Sequence, residues 1–232
     1  MSFLCGIDAF RDIDQRARDR LESASTLLQP RDGSEIFSQG DPADAVYAIV
    51  AGDGHVRIGA ASRGSKTLMV AVCKQGDIFG EIGVIDGGAR TASAMIEGRV
   101  RLARIPASSF LAALSGSAGL GYVVCHMLAR RLRWTSMLFQ DASFETLEVR
   151  LARQVLYLAE QFGRPTEQGV RLTDRLRQGD LADLLGATTR SIITILNAWR
   201  AAGVVFYDTD RALLTVCDQA ALRGMLRRDT SE

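Results

Sequence analysis

Glu81 and Arg90 lie within the stretch GDIFGEIGVIDGGARTASAMI, which runs from Gly76 to Ile96 and carries five glycines. Its apolar ends read as strands, so the polar pair falls in a glycine-rich bend between them. Glycines let successive backbone N–H groups converge, and at the start of a short helix such amides form an anion site. Arg90 adds a planar, permanently charged clamp suited to a phosphate. Glu81 would repel that phosphate unless it faced a donor, and a ribose hydroxyl supplies one. One anion and one hydroxyl held close together describe a cyclic nucleotide.

The bend needs a rigid frame. Upstream, PRDGSEIFSQGDPADAVYAIVAGDGHVRIG alternates short apolar runs with Gly, Asp and Pro clusters, which predicts strands joined by tight turns. KTLMVAVCKQGDIFGE and TASAMIEGRVRLARIP continue the pattern, and the strand region closes near Pro106. Regular short strands without long helices predict a sandwich or small barrel. Ahead of it, residues 8–28 read as a short charged helical segment.

From Ser108 the sequence is helix-friendly and free of proline as far as Gly163. It predicts a short helix, a Gly/Ser break from Ser115 to Gly121, a long helix to about Ala142 and another helix from Phe144 to Phe162. GRPTEQG then reads as a loop. Along the long helix Cys125, Leu128, Leu132, Thr135 and Phe139 step by coiled-coil spacing, which predicts a seam against a second copy of the chain. Val124, Met127, Trp134 and Leu138 form a second apolar row, available to cover the strand region.

A second motif, QGDLADLLGATTRSIITILNAW, sits near the C-terminus. Leu181, Ala182 and Leu185 make one short helical face, Gly186 supplies the left-handed turn, Thr188 is a candidate N-cap, and Ile192, Ile195 and Leu196 make the face of a second helix. Small Ala182 lets the helices cross closely. This is helix-turn-helix spacing. The second helix then enters the DNA major groove with Thr188, Thr189, Arg190 and Thr194 facing outward. Arg190 is the candidate base reader, through a bidentate pair with guanine, and Thr188 and Thr189 suit phosphates. GVVFYDTDRALLTV predicts two strands turning at Asp208 to Asp210, a wing on the domain.

Composition excludes several other classes. The 232 residues carry a net charge of +1, two histidines and four cysteines. His55 and His126 are too far apart for a zinc or cupin-like metal site, and Cys5, Cys73, Cys125 and Cys217 have no ligand spacing. No Walker lysine motif and no Ser-His-Asp set is present, so no enzymatic activity is expected. No apolar run reaches the ~20 residues of a membrane span. The opening MSFLCGIDAFRDIDQRARDR turns charged too early for a secretory signal, so a cytoplasmic location is expected. Lys66 and Lys74 are the only lysines, and past residue 120 every base is arginine.

FGEIGVIDGGARTA resembles the phosphate-binding cassette of cyclic-nucleotide-binding domains. With LARRLRWTS and the helix-turn-helix, the chain resembles the Crp–Fnr family of bacterial transcription regulators over nearly its whole length. The resemblance implies an α+β chain: a jelly-roll β-barrel over residues 1–115, a long dimerisation helix over 116–143 and a winged helix-turn-helix over 144–232. It implies that Phe79, Gly80, Glu81 and Ile82 meet the nucleotide, with Glu81 on the ribose 2′-hydroxyl, Arg90 on the cyclic phosphate, and Thr91 on the phosphate or the base. Thr135 would contact the base, and Ser136 would reach the nucleotide of the other subunit. Leu128, Leu132, Thr135 and Phe139 would form the dimer interface, and Gln178 would join Thr188, Thr189, Arg190 and Thr194 at DNA. The implied partners are a palindromic operator, a second copy of the chain and RNA polymerase, with no membrane and no metal. The Thr-Ser pair favours cyclic AMP, whereas Thr91 directly after Arg90 is similar to cyclic-GMP-selective domains. A different effector, or none, is the alternative. Two departures stand out. TTRSIIT puts Arg190 where the family often has an acid and Thr194 where it often has an arginine, and RQGD opens the first helix without the usual Thr cap.

Overall fold

The chain is described from a computed structural model covering residues 3–11, 13–61, 67–172 and 176–226. Asp12, in the segment read as helical, and Lys66 lie outside the described residues. The chain divides into two compact units that part between Thr135 and Ser136.

The run AVYAI at residues 45–49 explains the first unit. It opens strand β3 (Ala45–Gly52), and all five residues are buried. Side chains alternate faces along a strand, so the run feeds two cores at once. Ala45, Tyr47 and Ile49 join Val56, Phe79, Ile96 and Leu102 in one cluster. Val46 and Ala48 join Leu4, Phe10, Leu21, Phe110, Leu120 and Val124 in the other.

The remaining strands are β1 (Thr26–Leu28), β2 (Glu35–Phe37), β4 (His55–Ala61), β5 (Thr67–Cys73), β6 (Ile78–Phe79), β7 (Ser93–Glu97) and β8 (Val100–Pro106). They form two antiparallel four-stranded sheets, ordered β1-β8-β3-β6 and β2-β7-β4-β5. This is the jelly-roll barrel expected, and its last strand ends at Pro106. The first helix is shorter than the sequence suggests. α1 spans Gln15–Ala24 behind an Asp14 cap, with a 3-10 turn at Asp8–Phe10 before it and β1 after it.

Between the sheets' strands lies α2 (Glu81–Asp86), and after them come α3 (Ala107–Gly116) and α4 (Ala118–Phe144). The predicted Gly/Ser break shrinks to Ser117 alone. Its hydroxyl caps α4 by accepting from Leu120 N at 3.2 Å, so one residue accommodates a 110° bend. Of the second apolar row, Val124 is buried, and Met127 packs partly buried on the same core. The seam residues Cys125, Leu132, Thr135 and Phe139 are exposed in the isolated chain, and Leu128 is half-buried.

In the second unit Thr146 caps α5 (Leu147–Phe162), so this helix starts later than its sequence pattern suggests. GRPTEQG is not a simple loop. Gly163–Thr166 is strand β9, paired with β10 (Gly169–Leu172), and the hairpin extends a sheet ordered β11-β12-β10-β9. Pro165 hides the strand from a propensity reading, but β9 is an edge strand, where a missing N–H is tolerated. β11 (Val205–Asp208) and β12 (Leu213–Val216) are the predicted wing strands. Helices α6 (Gln178–Leu185), α7 (Thr189–Ala201) and α8 (Gln219–Met225) complete the unit around Leu151, Val155, Leu181, Ile192, Leu196 and Trp199.

Leu102 is fully buried between β1 and β3. Leu102→Ala should cost about 2–5 kcal/mol. Urea unfolding followed by circular dichroism should show the first unit melting at lower denaturant, with the second unit's transition unmoved.

Candidate functional site

The cassette is positioned by backbone pairing on both sides of its bend. Arg90 N donates to Asp41 O at 2.8 Å, and Gly40 N donates to Arg90 O at 2.9 Å. Residue 90 is thus fixed to the turn that precedes β3. Gly80 ends β6 and begins α2 with φ of +76°. A Cβ there would lie 2.7 Å from Arg90 Nη1 and 3.2 Å from the Phe37 ring, so glycine is required by shape as well as by backbone.

Arg90 is buried, 3% exposed. Its Nη1 donates to Gly80 O at 2.6 Å, and its Nη2 to Ala45 O at 2.8 Å and to Asp44 Oδ1 at 3.4 Å. The guanidinium lies 4.2 Å over the Phe37 ring. Burial lowers the Arg90 pKa from its ordinary value, an effect opposed by Tyr47 and Asp44. Asp44 also pairs with Arg104 at 2.5 Å, so one carboxylate serves two guanidinium groups. Nε of Arg90 has no hydrogen-bond partner among the described residues.

Glu81 is 1% exposed and faces Arg131 of α4, whose Nη1 lies 2.5 Å from Oε1. Arg131 Nη2 donates to Ile78 O at 2.8 Å. Desolvation works against the Arg131 charge, but Glu81 and its neighbours more than offset it and hold the pKa above the ordinary arginine value. Oε2 of Glu81 is buried without a partner among the described residues. The sequence reading missed Arg131. The signal was present: a buried carboxylate needs a cation, and LARRLRWTS offers three arginines on a helix.

Phe79 is buried and stacks on Tyr47 with centroids 5.4 Å apart. Ile82 is 39% exposed, and Thr91 is exposed. Thr135 lies one helical turn beyond Arg131 and is exposed, as is Ser136 in the second unit. Cys73 is buried beside Arg131, and burial pushes its thiol pKa up to about 12.

In the second unit, Gly186 adopts φ of +62° and turns the chain from α6 into α7. Thr188 caps α7 as expected, accepting from Ser191 N at 3.1 Å, and its Oγ1 lies 2.8 Å from Ser191 Oγ. Its hydroxyl is therefore engaged within the cap. Thr189, Arg190 and Thr194 are exposed, and so is Asn197, which the sequence reading passed over. Gln178 is half-buried at the start of α6. The missing Thr cap of α6 is compensated: Arg177 N donates to Asp180 Oδ2 at 2.8 Å, which supplies the returning half of a capping box. Trp199 ties α7 to α5 through a 2.9 Å bond from Nε1 to Glu148 Oε1.

A barrel with a buried glutamate–arginine cassette, followed in one chain by a winged helix-turn-helix, is the architecture of a DNA-binding transcription regulator that carries its own sensor domain. The chain belongs to the Crp–Fnr family: residues 28–117 match the cyclic nucleotide-binding domain and residues 149–225 the Crp-like helix-turn-helix domain. It is 29% identical over 200 residues to a CRP-like cAMP-activated global transcriptional regulator of Mycobacterium tuberculosis, covering 85% of this chain and 88% of that one. The cyclic AMP receptor protein of Thermus thermophilus is 29% identical over 192 residues, covering 82% and 85%. Among solved structures, the c-di-GMP responsive global regulator CLP of Xanthomonas campestris shares the fold with a TM-score of 0.75 at 22% identity, covering 88% of this chain and 100% of that one.

Gly80→Ala should lower stability by about 1–3 kcal/mol, because alanine must hold a left-handed φ and its methyl collides with Arg90. A lower thermal midpoint in calorimetry checks this.

Proposed function

We propose that the protein is a homodimeric transcription regulator whose DNA binding is gated by a cyclic nucleotide, cyclic AMP or cyclic GMP, held in the barrel. The observation that carries the reading is a pair of buried orphan atoms within the cassette. Glu81 Oε2, an acceptor, and Arg90 Nε, a donor, lack partners among the described residues. These are the complements of a ribose hydroxyl and a phosphate oxygen, and buried polar groups are ordinarily satisfied.

In this reading Glu81 accepts from the ribose, and Arg90 turns its guanidinium to the phosphate beside the Gly80 amide. Phe79 and Ile82 line the cassette, Thr91 and Thr135 meet the phosphate or base, and Ser136 reaches the nucleotide of the partner subunit. Dimerisation runs along the 116–143 module, between a sensor at 1–115 and a reader at 144–232. The exposure of Leu132 at 69% and Phe139 at 73% supports that seam, which Leu128 and Thr135 continue. The nucleotide acts by its differential affinity for two helix arrangements, and about 5 kcal/mol of difference converts a mostly inactive population to a mostly active one. The active arrangement sets the two recognition helices ~34 Å apart on a palindromic operator. Gln178, Thr188, Thr189, Arg190 and Thr194 then face DNA, and RNA polymerase is the further partner, in the cytoplasm.

A second reading keeps the DNA output and changes the trigger. Arg90 already spends its terminal N–H groups on Gly80 O, Ala45 O and Asp44, and Arg131 already neutralises Glu81. With these groups engaged from within, the cassette serves another effector or none in this second reading. Gel shifts with and without nucleotide distinguish the two, since ligand-independent binding to one specific site supports the second.

Arg90→Ala should weaken cyclic nucleotide binding at least about tenfold, the loss of one or more charge-assisted hydrogen bonds. Titration calorimetry with cyclic AMP and cyclic GMP measures it. Equal binding by mutant and wild type, or no binding of either nucleotide by the wild type, sinks the gating proposal.

A further inference from the structure

We infer that Thr194 reads a thymine through its methyl group, within two base pairs of the base contacted by Arg190. The inference rests on the reading that α7 enters the major groove. Arg190, Thr194 and Asn197 are exposed and step by four and three residues, so they share one helix face. Arg190 is the single charge among them.

Thr194 Oγ1 donates to Arg190 O at 3.0 Å. A hydroxyl has one proton, and this one is committed to the helix backbone. Thr194 is therefore not free to donate to guanine N7 or O6, adenine N7 or thymine O4, the acceptors that line the major groove. With its proton given to its own helix, Oγ1 keeps only acceptor capacity, and the Cγ2 methyl is the apolar group Thr194 can offer the groove. Its complement there is the C5-methyl of thymine.

The rest of the face sharpens the choice. α7 reads TRSIITILNAWRA and contains no acidic residue, so it offers no carboxylate to the amino group of cytosine. Residues four apart on a helix are separated by about 6 Å along its axis. At about 3.4 Å per base pair, that spacing keeps the contacts of Arg190 and Thr194 within two base pairs. The half-site this chain selects thus pairs a guanine with a nearby thymine, read by a guanidinium and a methyl.

The test uses the full chain and begins with selection of binding sites from a random duplex pool, run with cyclic AMP, with cyclic GMP and with neither. Each thymine of the selected half-site is then replaced by uracil, which removes only the C5-methyl. One position within two base pairs of a guanine should lose about three- to five-fold in affinity, as expected for one buried methyl. Thr194→Val keeps the methyl and should retain the preference for thymine over uracil. Thr194→Ser keeps the hydroxyl and should bind the two duplexes equally. Both variants are conservative changes at an exposed helix position, and circular dichroism verifies their folding. The inference is overturned if no thymine responds to methyl removal, if Thr194→Ser keeps the preference, or if Thr194→Val loses it. Failure to enrich any sequence would instead overturn the groove reading, and this inference with it.

Discussion

A carboxylate buried at 1% exposure inside a barrel must be compensated, and this requirement organises the first unit. Glu81 finds its cation on the long helix that packs across the barrel, so the cassette and α4 are joined by charge as well as by apolar contact. Arg90 is the mirror case, a buried guanidinium balanced by two carbonyls, a shared carboxylate and an aromatic face. Both charges sit in a six-residue helix or the turn after it, a segment too short to hold itself together. The segment keeps its shape because its charged ends are anchored elsewhere: Glu81 on α4, and Arg90 on β3 and the turn before it. A ligand that engages either charge must compete with an anchor, which gives it leverage over the element that supplies that anchor.

The second unit is held by a different economy. Its helices begin with local caps, Thr146 on α5, Asp180 reaching back to Arg177 on α6, Thr188 on α7 and Asp218 on α8. Its core is largely apolar, and two of its aromatic residues are also hydrogen-bonded, Trp199 to Glu148 and Tyr207 to the Leu176 carbonyl. A rigid interior with satisfied helix ends leaves the outer face of α7 free to vary without disturbing the fold. That freedom lets the face carry Thr189, Arg190 and Thr194 at no cost to the core beneath.

Much of this was legible in the sequence, for physical reasons. Strand and turn alternation marked the barrel up to Pro106, because half-buried strands must alternate and tight turns need glycine. The helix-turn-helix was legible because Gly186 and Thr188 do work that few other residues can do at those places. Hidden features were those decided by partners distant in sequence. The strand at Gly163–Thr166 depends on pairing with β10, which local propensity does not see. Arg131 depends on Glu81, fifty positions earlier. The caps at Ser117 and Thr146 moved helix ends by a few residues, the part of a sequence pattern least constrained by periodicity.

The placement of Cys73 has a consequence for chemistry the barrel will not perform. Thiols react as thiolates, and a thiol that holds its proton up to about pH 12 offers almost none at cellular pH. Peroxide and disulfide partners therefore meet an inert sulfur beside the cassette, while Cys5, Cys125 and Cys217 stand at the surface. Burial thus keeps the one cysteine beside the cassette in its unreactive, protonated form.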